Sequence, residues 1–195
     1  TLCMIVKNEE AVLERILNPV SEIVDEILIA DTGSSDRTKE IAGQYTQKAK
    51  EMAVEWERMA NDGDHYKLTF DKSGTWSQKY NLVWDKLMNW QIFPEQIVKT
   101  EIPYYLTKQN RYGLPLDNRQ TYTKTDWIMW TATLAPDKAT FEEFIEPVYL
   151  FMNETTDRIP MSDWVFTDKP EHRAFQARSV VGGYFIKMLE NKMNN

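Results

Sequence analysis

Three aspartates and two arginines in the second half of the chain are candidates for acid–base chemistry and for binding an anionic group. Two carboxylates in different environments can act as a general acid and a general base, because their surroundings separate their pKa values. An arginine can hold a carboxylate through two parallel hydrogen bonds. The catalytic candidates are Asp117, Asp126 and Asp163, and the substrate-binding candidates are Trp76, Ser77, Gln78, Arg119, Gln176 and Arg178.

These candidates also have purely structural interpretations. Asp126 follows Thr125, which can cap a helix, and a carboxylate suits the first turn of a helix whatever its function. Asp163 can cap the loop before Trp164, and Arg178 can simply pair with a neighbouring acid. Residue type and position leave both interpretations open for each side chain.

Residues 75–87 form the most strongly patterned segment of the chain. Ser77 is a candidate helix N-cap, and apolar residues from Tyr80 to Leu87 recur at helical spacing. The pattern predicts a helix that starts near Ser77. It is interpreted either as an aromatic-rich core helix or as a binding-site helix, because a helix N-terminus favours anionic groups.

Further helical patterns predict a mainly α chain. They lie at residues 48–61, from Pro94 onwards, from Thr125 onwards, at 137–153 and at 175–191. Short loops between these helices predict an array of αα-hairpins. Gly182 and Gly183 lie inside the last pattern, where they indicate either close helix packing or a break.

The first 45 residues have a different organisation. Apolar runs at residues 2–6 and 23–30 predict two strands, with a helical pattern between them and another from Lys39. This order predicts a short βαβ, Rossmann-like unit with parallel strands. The sequence therefore divides into residues 1–45 and residues 46–195, with a join near residues 45–47.

Composition limits the classes of partner. The 195 residues carry a net charge of −7 and a mean hydropathy of −0.55, which predicts a soluble protein and argues against nucleic acid as a partner. Apolar runs fall short of the roughly 18 residues that a membrane span requires. The single cysteine, Cys3, and the two distant histidines predict neither a disulfide nor a metal site. The chain starts at Thr1 without a signal-peptide pattern, and its compartment stays open.

Several strings in the longer segment carry a family resemblance. They are residues 75–87 (TWSQKYNLVWDKL), 104–110 (YYLTKQN), 112–117 (YGLPLD), 123–127 (TKTDW) and 175–185 (FQARSVVGGYF). Together they resemble the C-terminal six-hairpin domain of the glutaminase A family over residues 47–190. The resemblance implies part of an α/α six-hairpin toroid that hydrolyses L-glutamine, a small-molecule substrate, to L-glutamate and ammonia without a cofactor. An incomplete toroid would expose helix edges, which predicts self-association.

Two strings in the shorter segment resemble the start of a family-2 glycosyltransferase. They are residues 3–10 (CMIVKNEE) and 31–38 (DTGSSDRT). The resemblance implies that Val6, Asn8 and Glu10 line a nucleotide pocket, that Asp31 faces the base, and that Mg²⁺ or Mn²⁺ is required. The family also needs an Asp-x-Asp pair after a later strand, whereas residues 62–64 (DGD) follow a helical pattern. We therefore expect this segment to have no transferase activity.

The leading interpretation is a piece of a glutaminase-A-like amidohydrolase fused to a truncated glycosyltransferase start. No Ser-x-x-Lys arrangement is present, so the nucleophile stays open. One alternative is a family-2 glycosyltransferase that uses a nucleotide sugar, for which Asp31→Ala should abolish binding. Another is a non-catalytic saccharide-binding helical array, in which Trp76, Trp84 and Trp127 would stack on sugar rings.

Overall fold

The computed structural model describes residues 1–193, apart from the side chains of residues 46–48. The chain divides into two compact units, Thr1–Glu55 and Trp56–Asn195. The predicted boundary at residue 46 between two segments of different family stays a prediction. The predicted join near residues 45–47 includes residues 46 and 47, whose side chains lie outside the described residues. The predicted helices from Lys39 and over 48–61 prove to be one continuous helix, Thr38–Ala60.

The first unit contains the predicted strand–helix–strand–helix order. Its elements are β1 Leu2–Val6, α1 Leu13–Ser21, β2 Ile27–Asp31 and the beginning of α2 Thr38–Ala60. The strands are parallel, with Leu2 opposite Ile27 and Val6 opposite Asp31. The buried side chains of Val6, Leu13, Leu17 and Ile41 form a small apolar core. The assignment of this two-stranded arrangement as a Rossmann-like unit stays a prediction.

The second unit is mainly helical. Its elements are α3 Leu82–Leu87, α4 Glu95–Leu106, β3 Tyr122–Lys124, α5 Thr125–Thr133, α6 Lys138–Glu154, β4 Trp164–Phe166, a 3₁₀ helix Ser179–Phe185 and α7 Ile186–Met193. Helix α5 lies at the centre, because it contacts α3, α6, α7 and the 3₁₀ helix. Strands β3 and β4 pair antiparallel. The apolar core includes Val83, Ile97, Ile128 and Phe144, each fully buried.

The prediction that a helix starts near Ser77 is wrong. Residue 77 pairs with Asp117 in an isolated antiparallel bridge, and the Ser77 carbonyl accepts a 2.9 Å hydrogen bond from the Tyr105 hydroxyl. The backbone N–H of Gln78 donates to the Leu116 carbonyl at 2.9 Å. Because these tertiary bonds engage the backbone, the helix begins only at Leu82.

The predicted helix over 175–191 is also wrong in its first half. The segment is instead a 3₁₀ helix, Ser179–Phe185, followed by α7, Ile186–Met193. Gly183 fits the close-packing interpretation, because a Cβ there would lie 2.9 Å from Nε1 of Trp130 and 3.0 Å from Cβ of Asp126. By contrast, α6 begins where predicted, since the Asp137 side chain accepts a hydrogen bond from the Thr140 backbone N–H at 2.8 Å.

Candidate functional site

A short β-ladder brings two of the predicted carboxylates together. Lys124, the last residue of β3, is paired with Trp164, the first residue of β4. Asp126 lies two residues after Lys124, in the first turn of α5, and Asp163 immediately precedes Trp164. The backbone N–H of Thr125 donates to the Asp163 carbonyl at 2.8 Å, which holds the two segments side by side.

The Asp163 carboxylate is paired with two cations. Lys124 Nζ donates to Asp163 Oδ2 at 2.6 Å, and Arg178 Nε lies 3.6 Å from Asp163 Oδ1. Asp163 is fully buried, whereas about a third of the Arg178 side chain is exposed. A buried carboxylate of this kind is stabilised only while its partners remain charged and in place.

The ionised form of the Asp126 carboxyl, by contrast, is disfavoured in the folded chain. Burial raises the pKa of its carboxyl to about 6, and the negative charge of Asp163 adds to that increase. The positive charge of Lys124 and the backbone N–H of Trp127 oppose the increase. The Asp163 carboxylate thus lies close to two cations, whereas the buried Asp126 carboxyl has a raised pKa.

Buried polar atoms without hydrogen-bond partners concentrate around this carboxylate pair. Eight such side-chain atoms occur among the described residues, and most buried polar atoms in folded proteins are satisfied. Five of the eight belong to the pair or to its immediate surroundings: Asp126 Oδ1, Trp130 Nε1, Ser162 Oγ, Asp163 Oδ1 and Trp164 Nε1. This set contains both donors and acceptors, so it matches a ligand that offers both.

Aromatic side chains surround the same site. The Lys124 ammonium lies 5.3 to 5.5 Å from the ring centroids of Trp127, Trp164 and Phe175, within the range of cation–π attraction. Trp127 stacks on Tyr80 with centroids 4.0 Å apart. These rings exclude water from the Lys124–Asp163 pair, which strengthens electrostatic interactions inside the site.

Tyr184 closes the site from the 3₁₀ helix. Its hydroxyl makes a short hydrogen bond with the hydroxyl of Thr125, which also donates to the Asp163 carbonyl at 3.1 Å. Burial raises the pKa of Tyr184 to about 12, with smaller increases from the charges of Asp126 and Asp163. Tyr184 therefore stays protonated across the physiological range.

The structure brings together only part of the predicted set. Asp126, Asp163 and Arg178 share one site, and Gln176 is exposed nearby in the chain. Asp117 instead forms a two-point ion pair with Arg119, at 3.0 Å to Nε and 2.6 Å to Nη2. The catalytic role of Asp117 stays a prediction.

The predicted residues 76–78 are engaged in packing. Trp76 is buried and contacts two tyrosine rings of α4. Gln78 is buried, donates to the carbonyls of Leu114 and Pro115 at 3.1 and 2.9 Å, and accepts from Thr131 at 3.1 Å. These contacts give Gln78 a structural role. The saccharide-stacking role of Trp76, Trp84 and Trp127 stays a prediction.

Ser77 lies on a separate cavity of about 620 Å³. The cavity is lined by Trp56, Lys67, Leu68, Thr69, Phe70, Asp71, Ser77 and Lys79. The Lys79 ammonium is committed to the interior, because it donates to the carbonyls of Tyr66 and Ser77 at 3.0 Å and lies 3.5 Å from Glu101. None of the residues that line this cavity carries one of the unpaired buried polar atoms, five of which lie at the carboxylate pair.

The predicted nucleotide-pocket residues are close together in the first unit. Asn8 Oδ1 accepts from the Ser35 backbone N–H at 2.9 Å, and Glu10 Oε2 accepts from the Arg37 N–H at 2.8 Å. Hydrogen bonds from Ser34 hold the pKa of Asp31 below its usual value, while Val6 is buried. These acceptors organise the turn itself, and their nucleotide-binding role stays a prediction.

Sequence reasoning missed Lys124, Trp130, Ser162, Trp164 and Tyr184. Lys124, Ser162 and Trp164 are chain neighbours of the two predicted carboxylates, so the local sequence held a usable signal for them. Trp130 lies four residues after Asp126, which places both on one face of a helix. Tyr184 comes from a separate element, and its position followed only from the folded chain.

No group of three or more His, Cys, Asp or Glu side chains within the described residues is arranged to hold a metal ion. Over the same residues, no helix is both long and apolar enough to cross a membrane. It stays a prediction that the reaction needs no cofactor, that the substrate is a small molecule and that the chain self-associates.

Fold and site define a mainly helical domain with a buried carboxylate pair. The family model for the glutaminase A six helical-hairpin domain matches residues 28–188. The chain therefore belongs to this family, which confirms the resemblance over the longer segment. The match begins inside β2, before the predicted join.

Two curated fungal proteins are similar to the chain. Glutaminase A of Aspergillus oryzae is 28% identical over 155 residues, covering 76% of this chain and 22% of that protein. A probable glutaminase of Arthroderma benhamiae is 26% identical over 174 residues, covering 73% and 20%. The chain thus spans about a fifth of the length of these relatives.

A shorter stretch is similar to a different protein. A TPR repeat-containing protein of Synechococcus elongatus is 45% identical over 56 residues, which cover 29% of this chain and 13% of that protein. No solved structure matches the chain. None of the comparisons supports a family-2 glycosyltransferase start, and the predicted fusion stays a prediction. The predicted arrangement of the helices as part of an α/α toroid also stays a prediction.

Proposed function

We propose that the chain carries the acid–base site of an amidohydrolase that converts L-glutamine and water to L-glutamate and ammonia. The observation that carries the proposal is the buried carboxylate pair, in which Asp126 has an unpaired oxygen and a pKa raised to about 6 while Asp163 faces two cations. Membership of the glutaminase A family and the two glutaminase relatives support the choice of substrate.

In the proposed reaction, Asp126 moves the proton. Its carboxylate takes a proton from a water molecule as the water oxygen forms a bond to the amide carbon of the substrate. The C–N bond then breaks, and Asp126 returns the proton to the departing nitrogen, so that ammonia leaves and a carboxyl group remains. A pKa of about 6 suits both transfers at neutral pH, because the group is neither a very weak base nor a very weak acid there.

Arg178 is proposed to hold the α-carboxylate of the substrate. Its guanidinium carries five N–H donors, of which the Nε group faces Asp163 at 3.6 Å. The ring of Phe175 lies under the guanidinium at 4.5 Å and orients its plane. A partly exposed, oriented guanidinium is suited to two-point recognition of a carboxylate.

Ammonia release from L-glutamine by the purified chain tests the proposal, with far-UV circular dichroism on the same sample. Asp126→Asn should abolish release, and Arg178→Ala should raise KM. Asp168→Asn makes the same chemical change at an exposed carboxylate and should leave release unchanged. A helical, cooperatively melting chain that releases no ammonia would refute the proposal for this chain.

The pH dependence provides a second test. If Asp126 is the base, kcat/KM should rise with pH through about 6, because only the ionised carboxylate can accept the proton. A profile that is flat between about pH 5 and about pH 7 would contradict that assignment.

A further inference from the structure

Residues 171–173 extend the β3–β4 ladder by one more extended segment. His172 pairs with Val165 in an antiparallel bridge, and the Arg173 backbone N–H donates to the Trp164 carbonyl at 2.8 Å. Side chains alternate between the two faces of such a ladder, and the face that carries Val165 is buried. The opposite face, called the outer face below, carries the side chains of Tyr122, Lys124, Trp164, Phe166, Glu171 and Arg173.

Three aromatic rings of the outer face hold the Arg173 guanidinium. Its Cζ atom lies 4.6, 4.9 and 5.5 Å from the ring centroids of Tyr122, Trp164 and Phe166, within the range of cation–π attraction. Two of these rings also support each other, since Tyr122 packs edge-to-face on Trp164 with centroids 5.4 Å apart. The guanidinium therefore has a defined orientation before any ligand binds.

Arg173 differs from the two lysines near this face because it has no acidic partner. Lys124 pairs with Asp163 at 2.6 Å, and Lys169 pairs with Glu171 at 2.5 Å. Glu171 lies only two residues before Arg173 on the same face, yet its ion pair is with Lys169. Among the described residues, no carboxylate lies within ion-pair distance of Arg173 and no hydrogen bond engages its side chain.

The N–H groups of Arg173 are accessible to solvent. Arg173 is half-buried as a residue. A side-chain nitrogen that was both buried and unpaired would be one of the eight unpaired atoms described above, and none of those atoms belongs to Arg173. The rings therefore cover part of the side chain, whereas its donors remain open to a ligand.

We infer that Arg173 anchors a binding site for the carboxylate of an apolar acid. A guanidinium offers parallel N–H donors that match the two oxygens of a carboxylate, and one that is already oriented loses less freedom on binding. Apolar surface continues beside it, because Phe175 is nearly half exposed and stacks on Trp164 with centroids 5.1 Å apart. Binding at Arg173 requires no amide hydrolysis.

A titration of the wild-type chain with hexanoate, followed in ¹H–¹⁵N spectra at constant ionic strength, tests the inference. The Arg173 Nε–H resonance, assigned by its absence from Arg173→Lys, should shift and reach saturation. Hexanamide has the same apolar chain without the charge, and inorganic phosphate has charge without the apolar chain. Both should bind more weakly than hexanoate.

Arg173→Gln removes the charge and should weaken hexanoate binding by about 10- to 100-fold, the usual effect of losing a hydrogen bond to a charged group. Binding to the variant can be followed on the Trp164 indole resonance. Arg158→Gln is the matched control, because it makes the same change at an exposed arginine whose partners are the backbone carbonyls of Thr155 and Asp157. It should bind hexanoate as the wild type does.

An Arg173 resonance that stays fixed as hexanoate is added would overturn the site, and this readout needs no variant that binds. Equal affinity of Arg173→Gln and the wild type for hexanoate would also overturn it. Phosphate binding as tight as that of hexanoate would overturn the assignment to apolar acids. A wild type that binds hexanoate at Arg173 but releases no ammonia from L-glutamine would refute the proposed function and leave this site standing.

Discussion

Replacement of Asp126 by asparagine is expected to remove ammonia release and, at neutral pH, to stabilise the chain. Asparagine has nearly the same shape as aspartate but carries no charge. Asp126 is 3% exposed and lies near the negative charge of Asp163, so its ionised form is disfavoured in the folded chain. Functional groups commonly carry a stability cost of this kind.

The magnitude follows from the difference between the folded and reference pKa values. Folding raises the pKa of Asp126 from 3.8 to about 6. A difference of about two pKa units corresponds to about 3 kcal/mol between the two protonation states. Because the folded chain binds this proton more tightly than the unfolded chain, the stabilisation is complete below pH 3.8 and is lost as pH rises through about 6.

Urea unfolding at about pH 4.5, about pH 6 and about pH 8 measures this effect in the wild type and in Asp126→Asn. The free energy of unfolding of the variant minus that of the wild type should increase with pH by up to about 3 kcal/mol and level off above about pH 7. Taking the difference removes the contribution of the other carboxylates. Asp168→Asn, at an exposed position, should give a flat difference. A flat or falling difference for Asp126→Asn would refute the reasoning.

Two further substitutions test the packing of the second unit. Gly183→Ala should destabilise by about 1–3 kcal/mol, because the new methyl group would lie 2.9 Å from Trp130 Nε1. Gly182→Ala is its control, since a Cβ there meets nothing within 4 Å among the described residues; thermal melts in which both variants behave alike would contradict this packing. Lys79→Met should destabilise by about 3–5 kcal/mol at neutral pH, because it leaves the Glu101 carboxylate buried without its cation. An unchanged urea midpoint would show that the pair is already neutral.

The elements with strong local signals were predictable from sequence. The βαβ order of the first unit follows from apolar runs and turn residues, and α6 begins at the Asp137 cap as expected. The helix expected from Ser77 failed because Tyr105 and residues 116–117 engage that backbone from elsewhere in the chain. Local helix propensity does not decide the structure where tertiary hydrogen bonds engage the same backbone groups.

For the candidate site, sequence supplied the residue types but not the grouping. Asp126, Asp163 and Arg178 were candidates together with Asp117 and Arg119, which the structure shows paired with each other. The charges of all five were visible in the sequence. Asp117 and Arg119 are only two residues apart, whereas the pairing of Lys124 with Asp163 joins segments that are far apart in the chain, and no local pattern encodes that contact.

The sequence by itself determined the helical character of the longer segment, its family and the presence of acidic and basic side chains in it. Only the tertiary structure decided which of these side chains form a site. The pairing of β3 with β4 brings Asp163 beside α5, and the fold then buries Asp126 near that charge. The pKa of a carboxyl group is set by burial and by neighbouring charges, and both exist only once distant segments have come together.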